Sequence, residues 1–174
     1  MSPKRYIYCI FYLGGWEAWA LTELTGGIAA RMNLTMEKIN KMGVENFKEF
    51  VTKYLQRNGI FCTANNYNDG EQFELNGLIK AHAYSLLCIY EVTKNDGTTQ
   101  TLVRIRNPHG HGEWNGPWSD DSSEWLDVSD TVKEAIKYSQ NEDGGFFMSF
   151  EDWVDHYENF TMCYITDDKT MTKE

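Results

Sequence analysis

The segment LIKAHAYSLLCIYEVTKNDGTTQTLVRIRN, residues 78–107, decides the fold. Its first half, Leu78 to Val92, is apolar, β-branched and aromatic with no turn residue inside it, the composition of a buried strand. Lys94-Asn95-Asp96-Gly97 is a hairpin signal, because Asn, Asp and Gly tolerate the positive φ of a tight turn. The returning half, Thr101 to Arg106, alternates, with Leu102, Arg104 and Arg106 on one face and Val103 and Ile105 on the other. A hairpin with its turn at 94–98 pairs residues whose numbers sum to about 192. His82 then lies opposite about residue 110, which brings it near Asn107 at the end of the partner strand.

Upstream, Glu17 to Leu24 reads as a short helix closed by Gly26-Gly27. Glu45 to Arg57 is a longer one, with Phe47, Phe50, Val51, Tyr54 and Leu55 recurring at helical spacing. Ile60 to Ala64 is strand-like, and Asn65 to Asn76 is a polar loop. Downstream, Pro108 to Asp121 is a Gly- and Trp-rich loop; Trp114, Trp118 and Trp125 are expected to pack it onto the core. Val128 to Tyr138 reads as a helix capped by Ser129 or Asp130. After a turn at Asp143-Gly144-Gly145 come a strand, Phe146 to Phe150, and a helix, Phe150 to Tyr157, which Ser149 and Asp152 can cap. Thr161 to Thr166 is the last strand. Helices gather early and strands late, so the class is α+β, with antiparallel β-sheets and flanking helices.

The 174 residues are enough for one domain, or two small lobes. Aromatics at 14% rule out a disordered chain. A net charge of −10 disfavours a nucleic-acid binder, which needs a basic face, and makes calcium worth seeking. No apolar run reaches the roughly 20 residues of a membrane span. Lys4 and Arg5 followed by Tyr6 to Leu13 have the outline of a signal peptide, but the run is short and no small-x-small site follows. The expected compartment is therefore cytoplasmic, and the sequons at Asn33 and Asn159 would matter only on secretion. Cys9, Cys62, Cys88 and Cys163 form no CxxC pair, so a cysteine zinc site is not indicated; Cys62 and Cys88 read as small buried hydrophobes. His109, His111 and Glu113 would share one face of an extended segment and could hold zinc, yet Gly110 and Gly112 make that segment a loop without preorganisation. Asn66-x-Asn68-x-Gly70 lacks the ligand order and closing Glu of an EF-hand and reads as an ordinary loop.

Taken alone, His82 is a core or edge histidine and Asn107 a turn residue before Pro108. Together they suggest chemistry, because an Asn beside a His can hold the imidazole for base catalysis, as in Cys-His-Asn proteases. Leu78 to Ser85, Leu102 to Gly110 (LVRIRNPHG), Glu113 to Asp120 (EWNGPWSD) and Asp143 to Trp153 (DGGFFMSFEDW), with Ala20 to Gly27 (ALTELTGG) upstream, closely resemble the calpain family of cysteine proteases over residues 17–167. Residues 1–16 do not match, and 168–174 are a tail.

The resemblance is to the C-terminal subdomain of the papain-like calpain core, and it implies antiparallel sheet with flanking helices. It implies His82 as the general base that activates a thiol and Asn107 as its orienting partner. The nucleophilic Cys of calpains lies in the preceding subdomain, in a Gly-x-Cys-Trp setting that no cysteine here occupies. The chain is thus expected to be inactive alone, and to need a Cys-bearing half as partner before it cleaves protein substrates. Where the family has Trp, this sequence has His109. The resemblance also implies a calcium ion held by Glu113, Asp120, the carbonyl of Asn141, and Asp143. Gly145 stands where a further Glu is usual, so a weak or partial site is expected. The alternative function is a non-enzymatic, calcium-responsive binding or regulatory module.

Overall fold

A computed structural model describes residues 17–57, 59–65 and 74–165. Cys9, the apolar stretch at 6–13, the loop at 66–70 and the 168–174 tail lie outside them. Four elements come first: helix α1 (Glu17–Thr25), strand β1 (Ile28–Asn33), and helices α2 (Met36–Met42) and α3 (Val44–Gln56). Strands β2 (Ile60–Ala64), β3 (Glu74–Leu75), β4 (Leu78–Ile79), β5 (Ala83–Thr93) and β6 (Thr99–Arg106) follow. A 3-10 turn at Ser123–Asp127 leads to α4 (Asp130–Ile136), β7 (Gly145–Ser149), α5 (Phe150–His156) and β8 (Asn159–Tyr164). The main sheet is antiparallel throughout, in the order β1-β8-β2-β5-β6-β7, and β3 and β4 form a separate hairpin. The α+β class with an antiparallel sheet and flanking helices is therefore observed.

The β5–β6 register decides the core. Partner numbers sum to 192 from Thr93–Thr99 down to Cys88–Arg104, then to 191 beyond a bulge between Leu86 and Cys88. The bulge shifts the phase of the side chains: Tyr84 and Leu86 before it, and Ile89 after it, face the same core. That core joins Val103, Ile105, Phe146 and Met148 to Phe47 and Val51 of α3 and to Phe150 and Trp153 of α5. On the opposite face Val92, Leu102 and Phe147 meet Trp118, Trp125 and Ile136. All three of Trp114, Trp118 and Trp125 are buried, so the long loop does pack on the sheet. β6 and β7, at one side of the sheet, are therefore buried on both faces.

Helix starts follow their caps. Ser129 and Ser149 accept from the backbone N–H of Val132 and Asp152 respectively, so Ser129 rather than Asp130 caps α4. The strand read as Leu78 to Val92 is broken in two. Ala81 sits at φ 51, and the N–H and C=O of Ile79 are taken by Tyr84 Oη at 2.8 Å and Asn65 Nδ2 at 3.0 Å. Those side-chain bonds replace the ladder bonds that a continuous strand would have made. Strand β1 and helix α2 have no counterpart in the sequence reading; Ile28, Ala30 and Met32 of β1 stay exposed, so it carries no burial signal.

Candidate active site

Four adjacent strands end in one row. Asn65 follows β2, His82 precedes β5, Asn107 follows β6 and Gly144 precedes β7. Each pair extends the sheet by one bond: Asn65 N–H donates to the His82 carbonyl at 3.3 Å, and Asn107 N–H to the Gly144 carbonyl at 2.6 Å. Gly144 cannot be replaced without a shift, since its φ is +83 and a Cβ there would lie 2.7 Å from the Asn107 carbonyl oxygen.

Asn107 is fully buried and saturated. Its Nδ2 donates to the carbonyls of His111 at 2.7 Å and Gly112 at 3.0 Å. Both bonds require the amide nitrogen on that side, which fixes Oδ1 as the end facing His82. Oδ1 accepts from the His109 N–H at 3.0 Å and lies 3.0 Å from His82 Nε2. An amide oxygen cannot donate, so Nε2 carries the proton and Nδ1 is the basic nitrogen of His82.

The imidazole is held on its other sides as well. The His82 backbone N–H donates to Asn65 Oδ1 at 3.1 Å, and around the ring Tyr84 packs at right angles and His109 lies over it, with centroids 4.9 and 4.5 Å away. Burial lowers the His82 pKa below its ordinary value; the bond to Asn107 opposes that shift, and the nearby His109 charge reinforces it. The sequence reading missed Asn65, which sits in a polar loop with no motif to mark it. Asn65→Ala should cost about 2–3 kcal/mol, because it orphans the buried His82 N–H and Ile79 C=O. Urea unfolding at neutral pH measures this; a loss under about 0.5 kcal/mol, the level of an ordinary surface change, would refute the latch.

The second group lies in the long loop and the β7 approach. The Asp120 side-chain oxygens are both buried, and among the described residues no N–H or hydroxyl donates to them; only the Glu113 carboxyl is placed to share a proton with them. Its carboxyl is pushed up to about 7, first by loss of water and then by the charges of Glu113, Asp143 and Asp121. Glu113 Oε1 accepts from the N–H groups of Asp143 at 2.9 Å and Gly144 at 2.6 Å. Asp143 Oδ1 accepts from the Gly145 N–H at 2.8 Å and lies 3.7 Å from Arg106. The Asn141 carbonyl accepts from the Asp143 N–H at 2.7 Å. Glu113, Asp143 and the Asn141 carbonyl thus have an oxygen already engaged, whereas at Asp120 it is the backbone carbonyl that accepts, from Tyr138 Oη and Gln140 Nε2, and no N–H or hydroxyl reaches the carboxylate. Beside them an open hollow of about 690 Å³ is lined by Glu113, Asp120, Asp121, Glu124 and Glu142 among others. Among the described residues no three His, Cys, Asp or Glu side chains are gathered as a metal cluster, and this holds for His109, His111 and Glu113 as it does for Glu113, Asp120 and Asp143.

Cys62 and Cys163 are buried in the sheet and Cys88 is half-buried in β5. Among the described residues no helix is long and apolar enough to cross a membrane. The family described as calpain family cysteine protease matches residues 11–164. Human calpain-9 is 36% identical over 158 residues, covering 89% of this chain and 22% of that protein. The bovine calpain-2 catalytic subunit is 35% identical over 164 residues, covering 92% and 22%. A calpain of Schistosoma mansoni is 36% identical over 153 residues, covering 87% and 20%. The chain spans about a fifth of the length of the curated relatives it matches.

Proposed function

The chain belongs to the calpain family of cysteine proteases, and from that premise we propose that it supplies the His and Asn of a cysteine endopeptidase core. The observation that carries the reading is the 3.0 Å His82 Nε2–Asn107 Oδ1 pair with its amide locked, which leaves Nδ1 as the base. In this reading Nδ1 takes the proton of an incoming thiol. The thiolate attacks the scissile carbonyl, and the imidazolium returns the proton to the leaving amine. The thiol comes from sequence outside these 174 residues, since Cys62 and Cys163 are locked in the sheet and no cysteine stands in a Gly-x-Cys-Trp setting. The substrate class is extended or unfolded polypeptide, and the setting cytoplasmic.

Calcium fits this reading on one observation, the buried and unpartnered Asp120 carboxylate. Glu113, Asp120 and Asp143, with the Asn141 carbonyl, would hold the ion, while Gly145 brings no side chain to it. Bound calcium would supply the positive charge that these carboxylates lack. The test mixes this chain with a Cys-bearing half of a calpain relative, calcium and an unfolded protein. Cleavage should rise above that of the Cys half alone, and His82→Ala should return it to that level. No gain on mixing would overturn the reading.

The same orphaned carboxylate favours a second reading, a calcium-responsive module without catalysis. Calorimetry then shows calcium binding that Asp120→Ala weakens, with no cleavage in the mixing experiment. Flat heats at millimolar calcium would refute it.

A further inference from the structure

The His82 ring is not alone at the end of the sheet. His109 lies over it with ring centroids 4.5 Å apart and planes tilted by 38°. Their backbones and side chains converge on one atom: Asn107 Oδ1 takes the His82 Nε2–H and the His109 backbone N–H, both at 3.0 Å. His82 is buried while His109 is exposed, so solvent protons reach the second ring directly. The geometry points to His109 as a positioning residue for the proton on His82. A proton on His109 disfavours one on His82, so the imidazolium half of a thiolate–imidazolium pair forms readily only while His109 is neutral. This rests on the role proposed above for His82.

Two unit charges at this separation repel weakly in a water-like medium, and more strongly beside a buried ring. Among the described residues, the other groups bearing on the pair do not offset that repulsion. Tyr84 of β5 presents a ring edge 4.9 Å from His82 and uses its hydroxyl to accept from Ile79. His111, 6.1 Å from His109 in the same loop, adds like charge when protonated. Arg106 at the end of β6 pairs with Asp143 at 3.7 Å, and Lys80 stands two residues before His82 in the turn. Asn65, on the β2 side, is neutral. Among the described residues no carboxylate contributes to the His82 shift, whereas the His109 charge does.

Coupled sites obey reciprocity: each proton must disfavour the other by the same amount. The experiment follows ring resonances of histidine-labelled chain by NMR between about pH 4.5 and 8.5, where imidazoles titrate. It uses the intact 174-residue chain and no thiol, so its failure is distinct from failure of the protease reading. In His109→Gln the His82 titration should move up. His109→Lys keeps a positive charge through the window and should bring the His82 titration back down relative to His109→Gln. Persistence of the Nε2–H resonance confirms that the Asn107 bond survives in each His109 variant. An unmoved His82 titration in His109→Gln overturns the inference, and so does a His82 titration in His109→Lys that is no lower than in His109→Gln, which would mark a packing effect instead of a charge.

Discussion

Asn107→Ala should lower stability by about 3–5 kcal/mol and, in the reconstituted protease, lower kcat by about 10²-fold with little change in KM. The stability term follows from counting partners. Asn107 is fully buried, donates to two carbonyls and accepts two N–H groups. Removing it leaves the His111 and Gly112 carbonyls and the His109 N–H without their partner. Each buried orphan costs about 1–3 kcal/mol, reduced where water enters near the exposed loop. With a urea slope of about 2 kcal/mol per M the midpoint should fall by about 2 M. The catalytic term has another origin. Without Oδ1 nothing holds the proton on Nε2, so the ring samples the tautomer whose Nδ1 cannot accept from a thiol. The loss sits at the low end of what positioned acid–base groups contribute, because burial and Tyr84 still hold the ring. Asn107→Asp separates the two terms. It keeps an acceptor for His82 but turns a carboxylate oxygen onto two carbonyls, so it should lose stability while retaining more kcat than Asn107→Ala. Equal kcat in Asn107→Ala and the unmodified chain would remove Asn107 from the machinery.

The hairpin that frames this site was legible because its signals agree at every level. Apolar β-rich strands flank an Asn-Asp-Gly turn, and the sum of about 192 holds over the turn-proximal half. It fails by one residue beyond Leu87, since a bulge is a local backbone choice that composition does not encode. That single slip sets His82 level with the position of His109, whose ring it contacts, and Asn107 reaches His82 by its side chain instead of by register. The break at Lys80–Ala81 was hidden for a similar reason. An apolar run looks continuous until a side chain elsewhere, here Asn65, takes its carbonyl.

The carboxylates show the limit of the same reasoning. Acidic residues at Glu113, Asp120 and Asp143 look alike in sequence, and family resemblance alone suggested a common role. The backbone distinguishes them. Gly144, which must be glycine, turns its N–H onto Glu113, and Gly145 turns its own onto Asp143. Asp120 is left buried among charges of its own sign because Trp118 and Trp125 pin the loop on either side of it.

Asp120→Asn should therefore reverse the order of stability between chelator and calcium. The Asp120 carboxyl is pushed up to about 7, above its unfolded value of 3.8, so its charged form is disfavoured by folding. Below about pH 4 both states hold the proton and the group costs nothing. As pH rises from there to about 7 the unfolded chain has released it and the folded chain has not, so stability falls, levelling above pH 7. The full shift would be worth about 4 kcal/mol. The residue as a whole is half-buried and borders the open hollow, so solvent screening reduces that to about 1–2 kcal/mol. Asn removes the charge with little change in volume. In chelator at pH 8 the variant should thus be more stable by about 1–2 kcal/mol, and the advantage should vanish at pH 4. Calcium supplies the missing countercharge only to the carboxylate. At calcium about 100-fold above its dissociation constant the unmodified chain should gain about 2.7 kcal/mol and the variant far less. Thermal unfolding at both pH values, with and without calcium, measures all four states. A variant less stable in chelator at pH 8 would mean that the carboxylate is satisfied by the protein, and equal gains in calcium would place the ion elsewhere.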